Sequence, residues 1–402
     1  MIMEKTEKGY PRALVAAAAC LGCAFFGVTM FFWGAMLPSL ANTIEGVQNL
    51  PWILTLGIIA GTIICGAVMD RYGYKALLVC SSLALALGLC GFIFCHQLWQ
   101  LVISAFLIGA GGGVLNSETI AIISDIYGDN LRGTMLSILG ASYCVGSLLW
   151  TVICRVWSYD PMIPMQWSAA VIAVLSLAFV LIPFPKAKLT KEDKFSLIDS
   201  LKLFKYHILA IAGLLFFFQG VLEAISANYS TSYYVSVEGG IGLPLALTSL
   251  IFMTVGMAVG RFALPVCLKL GGKKVAMFLF MAIAFIGALL QFLIPASQIG
   301  AFVSMTLLGF GIGVTAPVIF DYLGQVFKRH SGAAVSLSVV VAQVGMLIGN
   351  FLVGKMFLPS SVEAGLPRYF PLVMCVMVVA VCIIFPFVAR SSDSAKNKDL
   401  NL

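Results

Sequence analysis

Residues 109–117 read GAGGGVLNS, and residues 309–317 read GFGIGVTAP. The two stretches stand two hundred residues apart, each inside a long apolar run, and the likeness continues beyond them. DIYGDNLRGTMLSILGASYCVGSLL, from Asp125, aligns with a short gap on DYLGQVFKRHSGAAVSLSVVVAQVGMLIG, from Asp321. In each copy an acid, a basic turn and a glycine, Gly133 or Gly332, lead into the next apolar segment. Internal repetition sets architecture before any local pattern does. The chain therefore reads as two related halves.

Composition decides what the halves are made of. Of 402 residues, 61% are hydrophobic and only 10% charged, whereas a soluble domain carries about 25% charged residues. This is an integral membrane protein. A helix needs roughly 20 mostly apolar residues to cross a bilayer core of about 30 Å. Cutting the chain at its polar interruptions gives twelve spans: 13–37, 51–69, 76–95, 98–124, 134–155, 167–184, 208–233, 243–266, 275–294, 298–320, 333–357 and 369–389. The expected fold is all-α, with twelve transmembrane helices in two pseudo-symmetric six-helix bundles, residues 1–184 and 207–402. The first span follows Lys5, Lys8 and Arg12, but it is too long for a signal peptide.

Lys and Arg are retained on the cytoplasmic side of a membrane. With both termini inside, all of the 24 Lys and Arg except Arg155, Lys355 and Arg368 fall on that side. The net charge of +7 is then topology and contact with anionic lipid in a plasma (inner) membrane, with no nucleic-acid signal in it. Residues 185–206 form the basic cytoplasmic linker, and its segment FSLIDSLKLFKY has the apolar spacing of a surface amphipathic helix. The eleven cysteines include no CxxC pair and read as small packing residues.

Between spans 2 and 3 stands Gly66-Ala-Val-Met-Asp70-Arg71-Tyr-Gly73-Tyr-Lys75. It matches the G-x-x-x-D-R-x-G-x-K motif of the major facilitator superfamily, which falls in that same loop, and the whole chain resembles that superfamily. The resemblance implies a transporter working by alternating access, with a monomeric two-bundle fold and substrate bound between the halves. It also implies that Asp70, Arg71, Gly73 and Lys75 form a cytoplasmic gate, joined by Asp125 at the end of span 4. A degenerate copy, Gly256-x-x-x-Gly260-Arg261, adds Arg261 to the gating set.

GLLFFFQGVLEAISANYSTSYY in span 7 resembles the seventh helix of the fucose permease-like sugar porters, where an apolar run leads to a carboxylate and a polar, aromatic end. GMAVGRF in span 8 and the glycines before Asn116 in span 4 look similar to the same group. Where those porters carry acids in helices 1 and 4, this chain has Gly34 and Asn116. Any proton carrier must therefore stand elsewhere.

Charged groups in hydrocarbon are costly, so those present mark function or a specific partner. Gln219, Glu223, Ser226 and Ser230 fall on one stripe of span 7. The resemblance places helices 1, 4, 7 and 10 around the central cavity, which makes this stripe the expected substrate face, with Glu223 as substrate ligand or proton carrier. Glu118 is the rival proton site. It shares a stripe of span 4 with Asp125, whereas Asn116 points about 200° away and is the expected substrate contact there. Trp33, Tyr143, Thr315 and Gln343 complete the candidates, and Pro317 beside Thr315 raises the prospect of a broken span 10 with freed carbonyls. The competing role for each is helix packing.

The glycines of GAGGG are no phosphate loop, because no Lys-Ser or Lys-Thr follows; they suit close helix approach. No cofactor, metal or catalytic constellation is expected, so the chain is not read as an enzyme and its energy would come from a gradient. A small-molecule substrate, expected to be a sugar, and protons are the implied partners. An efflux antiporter is the alternative, but GASYCVGSLLW from Gly140 lacks the proline of the efflux signature.

Overall fold

With no water in the bilayer core, backbone N–H and C=O groups must pair within their own segment, which makes helix the outcome for each apolar run. The computed structural model describes residues 10–95, 97–127, 129–185, 205–327 and 331–397. Among them it forms helices and turns and no strand.

The chain separates into two compact units, Met1–Lys194 and Phe195–Leu402. The first holds helices Arg12–Ala41, Pro51–Phe94, Leu98–Ile126, Asp129–Val156 and Met162–Phe179. The second holds His207–Ser236, Leu243–Leu293, Gln298–Ile312, Thr315–Val326, Ser331–Gly354 and Phe370–Asn397. Two of these are pairs. A continuous helix of 51 residues, as Leu243–Leu293 is counted, would be about 76 Å long, far beyond a bilayer. It turns at Gly272, φ 69° and ψ −179°, and Pro51–Phe94 turns in the same way at Gly73, φ 75° and ψ 170°. That backbone region is essentially reserved for glycine. Gly73 and Gly272 thus close spans 2/3 and 8/9 into helical hairpins.

Among the described residues, eleven helical stretches are long and apolar enough to cross a membrane, and the one turning at Gly272 is long enough for two, which makes twelve spans. The spans named from the sequence sit on these helices with small shifts. Span 1 continues through Pro38 to Ala41. The expected amphipathic linker helix lies almost wholly in residues 186–204, outside the described residues.

Glycines set the helix separations in both units. In the first, a Cβ added to Gly109 would lie 1.9 Å from the Leu54 carbonyl oxygen, and one added to Gly113 would lie 2.2 Å from that of Ile58. Across the same contact Gly57 and Gly61 abut the main chain of Phe106 and Ala110. The backbones of spans 2 and 4 therefore touch, as small residues at four-residue spacing permit. In the second unit Gly309 meets Met253, and Gly256 and Gly260 meet Thr306 and Phe310. Spans 1 and 5 approach through Gly27 and Gly146, and spans 7 and 11 through Gly220 and Gly345. The repeat seen in the sequence is thus a repeat of contacts.

Candidate functional site

Span 10 is broken. Its first piece stops at Ile312 and its second restarts at Thr315. Pro317 supplies the reason, since it has no N–H to give the Gly313 carbonyl four residues before it. Two side chains take the carbonyls at the break. Gln219 of span 7 donates its amide to the Ile312 oxygen at 3.2 Å, and Arg261 of span 8 donates Nε–H to the Gly313 oxygen at 3.4 Å. Glu223 stands one turn beyond Gln219, half-buried, and the charge that acts on it is the Arg261 guanidinium. An amide and a guanidinium thus converge on the helix break within the second unit, and the Glu223 carboxylate lies one turn along span 7 from the amide.

Arg261 lies inside span 8, eleven residues before the turn at Gly272. Its counterpart in the first half is Thr62, whose hydroxyl reaches the Gly113 carbonyl at 3.5 Å. There span 4 runs unbroken from Leu98 to Ile126, and Ser117, in the place of Pro317, also donates to Gly113, at 3.1 Å.

The rest of the span 7 stripe packs inside its own unit. Ser226 is fully buried, with its hydroxyl 3.1 Å from Met374 Sδ on span 12. Tyr229, Tyr233 and Tyr234 are fully buried too. Their hydroxyls bond the Asn350 carbonyl at 2.9 Å, the Gln291 carbonyl at 2.7 Å and the Ser304 hydroxyl at 2.7 Å. They tie span 7 to spans 11, 9 and 10. Asn228 donates to the Asn350 side chain at 3.0 Å. Thr315 opens the second piece of span 10, buried and 4.0 Å from Met281 Sδ, and Gln343 is buried in span 11 with contacts of its own.

In the first unit, Asn116 is half-buried. Glu118 is fully buried against the Leu78 main chain of span 3, and neither carboxyl oxygen makes a hydrogen bond of good geometry. Trp33 is also fully buried, edge-on to Phe92 at 5.5 Å, with its indole N–H unpaired. Tyr143 packs on Phe26 at 5.6 Å.

At the turns that follow spans 2 and 8 the two units use matching contacts. Tyr74, next after Gly73, donates its hydroxyl to Asp125 at 2.5 Å. Lys273, next after Gly272, pairs with Asp321 and lies 4.6 Å over the Tyr322 ring. Lys75 donates to the Val180 carbonyl at 2.6 Å, capping the end of span 6. The side chains of Asp70 and Arg71 lie outside the described residues. Sequence reasoning gave no contact role to Tyr74 or Lys273, although aligning the two glycine turns would have exposed both.

The family model described as "Major Facilitator Superfamily" matches residues 14–350. The chain belongs to the major facilitator superfamily. It is 26% identical over 328 residues to the MFS-type transporter pynF of Aspergillus niger, covering 77% of this chain and 72% of that one. It is 22% identical to the 3-(3-hydroxy-phenyl)propionate transporter of Escherichia coli, covering 77% and 78%. A D-xylose transporter of Levilactobacillus brevis is 28% identical over a shorter stretch, 37% of this chain and 32% of that one. Among solved structures, a D-xylose-proton symporter matches with a TM-score of 0.75 at 17% identity, covering 93% of this chain and 97% of that one. The nucleoside transporter NupG matches with a TM-score of 0.73 at 14% identity, covering 93% and 98%. These structural likenesses speak for the fold, and this chain shares the superfamily's two-bundle architecture.

Proposed function

We propose that this superfamily member is a proton-coupled symporter for a sugar or a similar small polar metabolite. It works by alternating access as a monomer in the inner membrane, with both termini cytoplasmic. The observation that carries the reading is the convergence of Gln219 and Arg261 on the break in span 10, with Glu223 one turn from Gln219. Amide, carboxylate and guanidinium groups are the side chains that bind hydroxyl-rich solutes, and a broken helix offers its own carbonyls beside them. Similarity to a D-xylose transporter and the resemblance of span 7 to the fucose permease-like porters support the sugar class. Asn116 is the substrate contact on span 4. Glu223 is the preferred proton carrier, with Glu118 as its rival. Trp33, Tyr143, Ser226, Thr315 and Gln343 shape the surroundings of these groups, and Asp70, Arg71, Gly73, Lys75 and Asp125 form the gate.

A second reading, a facilitator or efflux antiporter for another small organic compound, is favoured by one observation. The 3-(3-hydroxy-phenyl)propionate transporter is matched over 78% of its length. A thermal-shift panel on the purified protein separates the two, because a ligand raises Tm only by binding the folded state. Shifts with neutral sugars support the first reading. Shifts with aromatic acids or lipophilic cations, and none with sugars, replace it with the second.

A further inference from the structure

Arg261 is a charge held inside a membrane-spanning helix, a placement that costs several kcal/mol unless partners are built for it. Its position in the repeat shows what those partners are for. In the first half the Gly113 carbonyl belongs to an unbroken helix, and Thr62 and Ser117 add hydroxyl contacts to it. In the second half Pro317 removes the main-chain donor that the Gly313 carbonyl would use, and the residue in the place of Thr62 is an arginine bonded to that carbonyl. Gln219 does the same for Ile312, the neighbouring carbonyl. Gln219 stands one turn from Glu223 on the same helix, and its carbonyl partner Ile312 adjoins the Gly313 carbonyl that Arg261 holds from span 8. A guanidinium has five donors in a fixed fork, so it can hold a carbonyl through Nε while meeting a carboxylate.

We propose that Arg261 is a positioning residue that bridges Glu223 and the Gly313 carbonyl, so that whatever occupies the Glu223 carboxylate sets how firmly the break in span 10 is held. This deepens the transport reading above and rests on it for its meaning, although the bridge can be tested without any substrate. When Glu223 carries its charge, Arg261 is shared between the carboxylate and span 10. When that charge is removed, by a proton or by a bound solute, Arg261 turns wholly to the carbonyl. The site that takes the solute is thereby connected to a helix that can bend.

A double-mutant cycle in ligand-free protein tests the bridge. Arg261→Gln should lower Tm by several degrees when Pro317 is present and by clearly less in the Pro317→Ala background, where a main-chain N–H again faces Gly313. The cycle cancels the effect of losing proline on the unfolded chain. Additive Tm changes would overturn the proposal, because an arginine serving only as partner to Glu223 gains nothing from a donor at position 317. The second measurement is hydrogen exchange in the peptide covering 313–318, with span 11 as internal control. Glu223→Gln should slow exchange there several-fold by releasing Arg261 to the carbonyl, and Arg261→Lys, which keeps the charge but not the fork, should speed it. No change in that peptide with Glu223→Gln overturns the coupling even if Arg261→Gln does not fold. If the bridge fails these tests while solutes still shift Tm, transport stands without it; if the bridge passes and no solute shifts Tm, the substrate class is wrong and the bridge survives.

Discussion

Tyr74 donates its hydroxyl to Asp125 across 2.5 Å, and the structure repeats the arrangement in its other half, where Lys273 pairs with Asp321. In both halves the residue after a glycine hairpin reaches the acid near the end of the fourth span of its bundle. One half uses a neutral donor and the other a charged one. Tyr74→Phe removes a single hydrogen bond and should cost about 0.5–1.5 kcal/mol. Lys273→Met removes a partly exposed ion pair and should cost no more than about 1 kcal/mol. Thermal unfolding of the two variants checks the ranking, which reverses if the Lys273 contact is the stronger tie.

Span packing leads to a second prediction. Gly109→Leu drives a side chain into the Leu54 main chain, where even a Cβ would lie at 1.9 Å, and the helices cannot separate without losing their shared contact. No folded protein should be recovered after size-exclusion chromatography. Gly73→Ala, by contrast, has open space around it and meets only the left-handed backbone, a cost of about 1–3 kcal/mol. It should fold with a lowered Tm. Equal yields of the two variants would mean that the spans are not in backbone contact.

Much of this architecture was legible before any coordinates. GAGGGVLNS and GFGIGVTAP announce the repeat, and the apolar runs place the helices within a few residues, because a bilayer leaves the backbone few alternatives. The site was legible only in part. The helical stripe of Gln219, Glu223, Ser226 and Ser230 is real, but periodicity says which residues share a face and not what covers it. Ser226 meets Met374, 148 positions away, and Gln219 meets Ile312, 93 positions away. Such pairings arise from tertiary packing, which span 7 does not encode alone. The contact of Arg261 with Gly313, 52 positions away, has the same origin.

Glu118 offers a third prediction. A buried carboxyl group with no well-formed hydrogen bond carries most of its desolvation cost, and an apolar group of similar shape removes that cost. Glu118→Met should therefore raise Tm, by a few degrees. If Glu118 serves only packing, transport should continue at a comparable rate. A stabilised protein that has lost gradient-driven accumulation would move the carrier role from Glu223 to Glu118. A lowered Tm would show that the carboxyl group has partners that stabilise it.

Glu223, one turn from Gln219 and the broken span 10, is the proposed carrier of the coupling proton. Glu223→Gln keeps the size of the side chain and removes its charge. In proteoliposomes loaded with a substrate found by the thermal-shift panel, two activities are compared: accumulation driven by an imposed pH gradient, and exchange of labelled for unlabelled substrate without net proton movement. The account predicts that Glu223→Gln abolishes accumulation while exchange persists. Accumulation at the wild-type level in the variant would contradict it.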